Sequence, residues 1–134
     1  MQPIKISIII PTYKEPDYLK LCLESIKRIP SEQYDNIQVV VVVDGTSELN
    51  KSVADQFIKY NLTEYPKLTW LNLPQNSGLA YATNVGVMYA DHDLVLLVND
   101  DNIFEKDWYS KIKHTFDSER ASVICFTQIE PGVN

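Results

Sequence analysis

The feature that most constrains the fold is a regular alternation between short apolar runs and segments in which apolar residues recur at helical spacing. Apolar runs occupy Ile37–Val43, which is almost entirely β-branched, and 5–11, 68–73, 94–98 and 121–129. Runs of this kind are typical of parallel strands that are covered on both faces. Helical spacing occupies 18–29, 53–60, 79–89 and 108–116. The alternation predicts an α/β fold with three layers, in which helices cover both faces of a mostly parallel, twisted sheet.

Prolines, a serine and the glycines refine this prediction. Pro11 is expected to end the first strand, and Pro16 suits the first turn of the helix that follows. Ser47 is a candidate cap for the second helix. The chain has only four glycines, so each is expected to mark a turn or a close approach of two backbones.

The size and composition of the chain indicate one globular domain. It has 134 residues, of which 45% are hydrophobic and 22% are charged. This balance excludes a disordered chain, and the apolar runs are far shorter than the roughly 20 residues that span a bilayer. No export signal is visible at residues 1–5. We therefore expect a single domain over residues 1–134 without a transmembrane segment, located in the cytoplasm or held at the cytoplasmic face of a membrane by other regions.

The charge of the chain restricts its partners. Its formal net charge is −6, which argues against general binding to nucleic acid, because such binding depends on Lys and Arg neutralising phosphates. A small polyanion would have to be held locally, by backbone amides, a few cations or a metal. The two cysteines, Cys22 and Cys125, have no zinc-site spacing and are interpreted as buried free thiols.

The loops that follow the strands are the place to look for a site, because ligands of open α/β sheets bind at the carboxyl ends of the strands. These loops carry most of the polar candidates: Pro11, Thr12, Tyr13 and Glu15; Asp44; Asn76 and Gly78, with Asn84 further along; and Asp100 and Asp101. Polar residues are common in loops in general. The pair Asp100 and Asp101 is less ordinary, because two adjacent acids repel each other and a cation would relieve that repulsion.

Carboxylate and water ligands suit Mg²⁺ or Mn²⁺, and Mg²⁺ typically joins one or two carboxylates to substrate phosphates. Neighbouring side chains of an extended chain point to opposite sides. Asp100 and Asp101 can therefore share a metal only if the chain turns there. A simpler hypothesis gives one carboxylate to the metal and the other to a ligand hydroxyl or to the backbone.

Other phosphate-binding and nucleophile motifs are missing. The first predicted strand is followed by neither a G-x-G-x-x-G nor a G-x-x-x-x-G-K-[ST] motif, and the chain has no G-x-S-x-G elbow. These absences argue against a dinucleotide-binding protein, a P-loop enzyme and an α/β-hydrolase.

At these loops the sequence resembles family 2 glycosyltransferases of the GT-A fold. The resemblance lies in seven blocks that follow the family's order: Ile8-Ile9-Ile10-Pro11-Thr12-Tyr13-Lys14-Glu15, Leu19 with Leu23-Glu24-Ser25-Ile26, Val41-Val42-Val43-Asp44-Gly45-Thr46-Ser47, Asn76-Ser77-Gly78, Ala82-Thr83-Asn84-Val85-Gly86, Leu97-Val98-Asn99-Asp100-Asp101 and Asp107-Trp108. It extends from about residue 5 to residue 129. Each block alone is weak evidence, but the ordered set is specific.

The resemblance implies a nucleotide-sugar-binding role for the matched residues. Pro11, Thr12, Tyr13 and Glu15 would line the pocket for the base and ribose, and Asp44 would hydrogen-bond the base. Asn76, Gly78 and Asn84 would shape the pocket around the nucleotide. Asp100 would lie near the ribose or donor sugar, and Asp101 would hold a Mg or Mn divalent cation on the diphosphate.

The implied reaction is inverting transfer of a sugar from a nucleoside diphosphate, UDP- or dTDP-linked, to a hydroxyl of a glycan, lipid-linked or protein acceptor, as in polysaccharide biosynthesis. Three positions depart from the family pattern: Val43, Thr83 and Asn99 stand where it has Asp, Arg and Asp. The family also has an acceptor-binding half beyond the metal strand, which usually supplies the catalytic base. We expect the base to lie outside this chain, so the catalytic residue stays open. The oligomeric state stays open as well.

Three alternatives have different expected features. A non-catalytic nucleotide-binding or regulatory module of the same fold would bind nucleotide without transferring sugar. A phospho-acceptor signalling domain would need clustered acids after its first strand, where Pro11-Thr12-Tyr13 stands. A nucleotidyltransferase would need a Gly-rich loop with Lys or Arg at the same place.

Overall fold

A computed structural model describes residues 3–45, 51–52, 54–55 and 65–119 of the chain. Its strands are β1 (Ile6–Thr12), β2 (Ile37–Val43), β3 (Lys67–Asn72) and β4 (Leu94–Leu97), and its longer helices are α1 (Pro16–Ile26), α2 (Leu79–Met88) and α3 (Trp108–Glu119). A short 3₁₀ helix, Ser31–Asn36, precedes β2. The predicted cap Ser47, the spaced residues Val53, Phe57 and Tyr60, Cys125 and the predicted strand 121–129 lie outside the described residues.

The four described strands form one parallel sheet in the order β3-β2-β1-β4. β1 lies between β2, with Ile6 opposite Ile37, and β4, with Ile6 opposite Leu94. The prediction of a parallel α/β sheet is confirmed. Every residue of β1 and β2 is buried, whereas β3 and β4 are only partly buried. The two long β-branched runs are therefore the two central strands.

Alternate residues of the central strands face two separate layers of helices. Ile8, Ile10 and Val41 belong to a cluster that contains residues of α1 and α3. Ile9 and Val42 belong to a second cluster on the opposite face, which contains Ala82 of α2. Each buried Ile or Val side chain contributes about 1.5–3 kcal/mol relative to exposure. The three-layer α/β/α architecture follows from this period of two along strands that are apolar on both sides.

The first strand continues through Pro11 to Thr12, so the expectation that Pro11 ends it is wrong. The Ile9 carbonyl accepts a hydrogen bond from the Val98 N–H on the β4 side, and the Thr12 carbonyl accepts one from the Asp44 N–H on the β2 side. Residues of β1 alternate between these two sides, which places Pro11 towards β4. The pairing with β4 ends at Ile9, so the N–H that proline lacks falls where the ladder with β4 stops, while the strand continues along β2.

Buried polar side chains hold the opposite edge of the sheet, near the beginnings of the strands. The Ser7 hydroxyl donates to Gln38 Oε1 at 2.6 Å, and Gln38 Nε2 donates to Thr69 Oγ1 and to the Tyr89 carbonyl. The N–H of Asp91 donates to Gln38 Oε1. This network fixes the connection between α2 and β4, and the sequence pattern did not indicate it.

None of the helices in the described part of the chain is both long and apolar enough to cross a membrane.

Candidate functional site

The candidate site lies at the carboxyl ends of the strands, where the order of the sheet reverses. The chain proceeds from β1 to β2 to β3 on one side of β1, and β4 lies on its other side. α1, after β1, and α2, before β4, cover opposite faces of the sheet. Such a reversal opens a crevice between the loops after β1 and β4, which is where ligands bind in open α/β sheets.

A hydrogen bond joins the two walls of this crevice. Thr12 Oγ1 donates to Asp100 Oδ2 at 2.8 Å, and Thr12 is buried at the end of β1. Burial is the largest influence on the Asp100 carboxyl and raises its pKa; the Thr12 bond acts in the opposite direction, and the charges of Asp101 and Glu15 raise the pKa further. Asp100, Asp101 and Glu15 therefore form one local concentration of negative charge.

The chain turns at the acidic pair. The N–H of Asn102 donates to the Asn99 carbonyl at 3.3 Å, which closes a turn over Asn99, Asp100, Asp101 and Asn102 that we call the acidic turn. Asp100 is half-buried and Asp101 is exposed. A turn of the chain, which is required before both carboxylates could serve one cation, is thus present.

The residues of the acidic turn fit a cation carried by a diphosphate. Among the described residues, no three His, Cys, Asp or Glu side chains are grouped so that they could hold a metal by themselves. Mg²⁺ bound to phosphates keeps several waters and needs only one or two protein carboxylates. Asp100 and Asp101 provide that number.

Asp44 connects the loops after β2 and β3. Its side chain is buried, its Oδ1 accepts the N–H of Ser77 at 2.7 Å, and its Oδ2 accepts the N–H of Gly78 at 3.0 Å. Each carboxylate oxygen keeps a further acceptor site. The expected bond from Asp44 to a base stays a prediction. The two hydrogen bonds by which Asp44 holds the β3–α2 loop were not predicted from the sequence.

Tyr13 and Asn76 bring the loops after β1 and β3 together. Tyr13 is 44% exposed, and the Lys14 ammonium lies 5.1 Å from the centre of its ring. Hydrogen bonding to the Asn76 side chain is the largest cause of a lowered Tyr13 pKa, and Lys14 adds to it. Lys14 itself has a φ of 55°. An exposed ring held in this way offers a face on which a base could stack.

The glycines in these loops explain how the backbones approach each other. Gly45 has a φ of 101°, and a Cβ there would lie 3.1 Å from the backbone nitrogen of Asn76. Gly78 has a φ of 95° and open space around it, directly before α2. The expectation that glycines mark turns and close approaches is confirmed at both positions.

The structure brings the predicted site residues to one edge of the sheet, except for Asn84. Pro11 and Thr12 lie buried at the end of β1, and Glu15 directly precedes α1. Asn84 is exposed in the middle of α2. It lies about 200° around the helix from the buried Ala82, on the side away from the sheet, so its predicted role has no support from the contacts of the described residues.

A set of contacts behind the acidic turn was missed by sequence reasoning. Ser25 Oγ accepts the N–H of Phe104 at 2.9 Å and donates to the Cys22 carbonyl at 2.7 Å. The Arg28 guanidinium donates to the Phe104 carbonyl at 3.3 Å. A serine on the buried side of a helix gives no signal that it binds a backbone group 79 residues away.

A family model described as Glycosyl transferase family 2 matches residues 7–134. The chain belongs to this family. The glycosyltransferase GlyA of Streptococcus pneumoniae is 30% identical to it over 112 residues, which are 81% of this chain and 15% of GlyA.

Solved structures show the same fold. S. aureus TarS 1-349 in complex with UDP-GlcNAc superposes with a TM-score of 0.73 at 24% identity, over 87% of this chain and 32% of that one. The mannosyltransferase PcManGT from Pyrobaculum calidifontis, in complex with GDP-Man and Mn²⁺, gives a TM-score of 0.70 at 21% identity, over 80% of this chain and 30% of that one. The predicted membership and GT-A fold are confirmed. The chain spans about a third or less of each of these three proteins.

Proposed function

We propose that this chain is the donor-binding part of a glycosyltransferase that uses a nucleoside diphosphate sugar. The observation that carries the proposal is that the loops after all four described strands lie at the same edge of the parallel sheet. The chain is also a member of family 2. Thr12 joins Asp100 there, and Asp44 joins Ser77 and Gly78. The site thus combines carboxylates, backbone clamps and an exposed aromatic ring.

Each part of the site has a task in this proposal. Tyr13 stacks on the base, and Asp44 uses its remaining acceptor sites to bind a base N–H. Asp100 accepts a hydroxyl of the ribose or donor sugar, while Asp101 holds a cation on the diphosphate. A divalent cation bound there would neutralise charge that grows on the diphosphate leaving group.

The donor we propose is a UDP- or dTDP-linked sugar, and the reaction is inverting transfer to the hydroxyl of a glycan, lipid-linked or protein acceptor. TarS, whose fold this chain shares, was solved with UDP-GlcNAc. In an inverting reaction, an acceptor hydroxyl deprotonated by a base attacks the anomeric carbon in line with the departing diphosphate. None of the described residues is proposed as that base.

Calorimetric titration with UDP, dTDP and GDP, each with Mn²⁺ and with EDTA, tests the proposal. We expect one nucleotide to bind in a metal-dependent manner and Asp101→Ala to abolish that dependence. Asp93→Ala is the matched control, because Asp93 is an exposed acid that directly precedes β4, at the opposite edge of the sheet. Equal binding by the Asp101 variant, or no binding of any nucleotide, would overturn the proposal.

The non-catalytic alternative is supported by a specific observation: Val43, Thr83 and Asn99 replace two acids and one cation of the family pattern. Nucleotide binding without sugar transfer, measured with this chain joined to an acceptor-binding half of a family member, would favour that alternative. Transfer to any acceptor would exclude it.

A further inference from the structure

The segment that follows the acidic turn is fastened at Phe104, whose backbone N–H is bound by a residue of α1 and whose carbonyl is bound by a residue just beyond the end of α1. Phe104 donates its N–H to Ser25 Oγ and presents its carbonyl to Arg28. Ser25 is 3% exposed, and Phe104 is buried as well. We call these contacts of Ser25 and Arg28 with Phe104 the α1 clamp.

A second attachment lies on the other side of Asp101. Thr12 holds Asp100 through its carboxylate, and the turn is closed by the bond from Asn102 to Asn99. Asp101 itself is exposed between the two attachments. Only three residues lie between Asp100 and Phe104, so the position of the chain at Phe104 limits the positions available to Asp101.

The hydrogen bonds of the Ser25 hydroxyl favour one fixed position of Phe104. The Ser25 hydroxyl uses its donor on the Cys22 carbonyl and an acceptor site on the Phe104 N–H. Without that hydroxyl, a buried N–H would lose its partner, which is costly in the absence of water. The segment would then move towards solvent to satisfy the N–H, and the acidic turn would move with it.

We infer that Ser25 is a positioning residue, which acts through Phe104 to fix the acidic turn and so sets where the Asp101 carboxylate meets a cation on a bound diphosphate. This inference rests on the proposed function. Groups that orient a metal ligand typically change metal affinity by about 10- to 100-fold when they are removed.

The chain provides a matched control for the test. Ser7 is also a buried serine that donates one hydrogen bond, to Gln38, and accepts one, from the His92 N–H. It lies in the buried polar network at the opposite edge of the sheet. Ser7→Ala therefore removes the same group from the same kind of environment, away from the acidic turn.

The experiment measures Kd for UDP, dTDP and GDP in Mn²⁺ and in EDTA, together with amide hydrogen exchange at Phe104. For Ser25→Ala we expect binding in Mn²⁺ to weaken by about 10- to 100-fold, little change in EDTA, and faster exchange at Phe104. For Ser7→Ala we expect neither the loss of metal-dependent affinity nor the faster exchange at Phe104.

Arg28→Met keeps the test valid if Ser25→Ala does not fold, because Arg28 is exposed and lies two residues beyond Ile26, the last residue of α1. Lys20→Met, which removes one positive charge from an exposed position of α1, is its control. We expect faster exchange at Phe104 and weaker binding in Mn²⁺ only for Arg28→Met.

The outcomes separate this inference from the proposed function. If the unmodified chain binds no nucleotide, the proposed function falls, and the positioning role falls with it. If the unmodified chain binds with Mn²⁺ and Ser25→Ala, or Arg28→Met in its place, binds equally well, the positioning role is wrong and the proposed function stands. Equal losses in the Ser25 and Ser7 variants would show a general effect on stability and would also overturn the inference.

Discussion

Asp44 lies in the candidate site and also stabilises the folded chain. Its carboxylate accepts the N–H groups of Ser77 and Gly78 while it lies almost completely buried. An acid whose expected role is to bind a base therefore also holds the loop that contains Asn76. Loss of its charge is expected to affect the folded state before any ligand is added.

Asp44→Asn should lower the free energy of unfolding by about 1–3 kcal/mol, because the new amide NH₂ meets a backbone N–H and leaves it unsatisfied. Urea denaturation of the unliganded chain measures this loss. Asp93→Asn, at an exposed acid, should leave the midpoint almost unchanged. Equal midpoints for the Asp44 variant and the unmodified chain would show that the two hydrogen bonds contribute no stability.

The sequence predicts which residues reach the site better than it predicts what they touch. Asp44 and Asp100 were identified because they follow apolar runs, and that argument needs only local pattern. The partners of these acids lie 33 to 34 and 88 residues away along the chain. Gln38 was missed for the same reason, since a single polar residue within an apolar run does not show where its hydrogen bonds end.

At the scale of elements, the contact of α2 with the sheet depends on one position without a side chain. A Cβ at Gly86 would lie 2.5 Å from Ile9 Cγ2 and 3.0 Å from Val42 Cγ2. Both contacts are with side chains of the two central strands, which are themselves packed on both faces. The helix can approach this closely only because glycine stands there.

Gly86→Ala should therefore destabilise the chain. Overpacking typically costs about 1–3 kcal/mol, whereas the better helix propensity of alanine returns at most about 1 kcal/mol. Thermal unfolding measures the net loss, and Val87→Ala, at the exposed neighbouring position, is the control with an expected change near zero. An increase in Tm for Gly86→Ala would mean that α2 does not approach the sheet so closely.

The positions of the four described strands were predictable to within one residue because each strand coincides with a short apolar run. The prediction that failed, a strand ending at Pro11, depended on which neighbour the proline faces. That property belongs to the sheet order β3-β2-β1-β4. The sequence contains no local signal for this order, since any parallel arrangement would bury the same runs.

At the scale of the whole molecule, α1 both covers one face of the sheet and, through Ser25, binds the segment that follows the acidic turn. Cys22 lies in that layer, fully buried. Burial raises the pKa of its thiol to about 12, and the charges of Asp100 and Asp101 add to the shift. The ordinary pKa of a thiol is 9, so as the pH rises above that value the Cys22 thiol ionises in the unfolded chain before it ionises in the folded chain. The Cys22 thiol therefore lowers the free energy of unfolding as the pH rises from 9 to about 12.

Cys22 should consequently resist alkylation by iodoacetamide at pH 8 in the folded chain, because the thiolate is the reactive form and the side chain has no exposure. In increasing urea, its modification should follow the unfolding transition. Peptide mapping by mass spectrometry reads Cys22 separately from Cys125. Rapid modification of Cys22 without denaturant would show that the layer between α1 and the sheet opens in the native state.

The hydrogen bond from Thr12 to Asp100 has a consequence for the newly made protein. Its two partners are 88 residues apart, and ribosomes add about 5–20 residues per second. The first wall of the crevice is thus synthesised about 4 to 18 s before the second. During that interval the growing chain has Thr12 and Tyr13 but no acidic turn, so the proposed donor site is incomplete until β4 and the turn after it have been made.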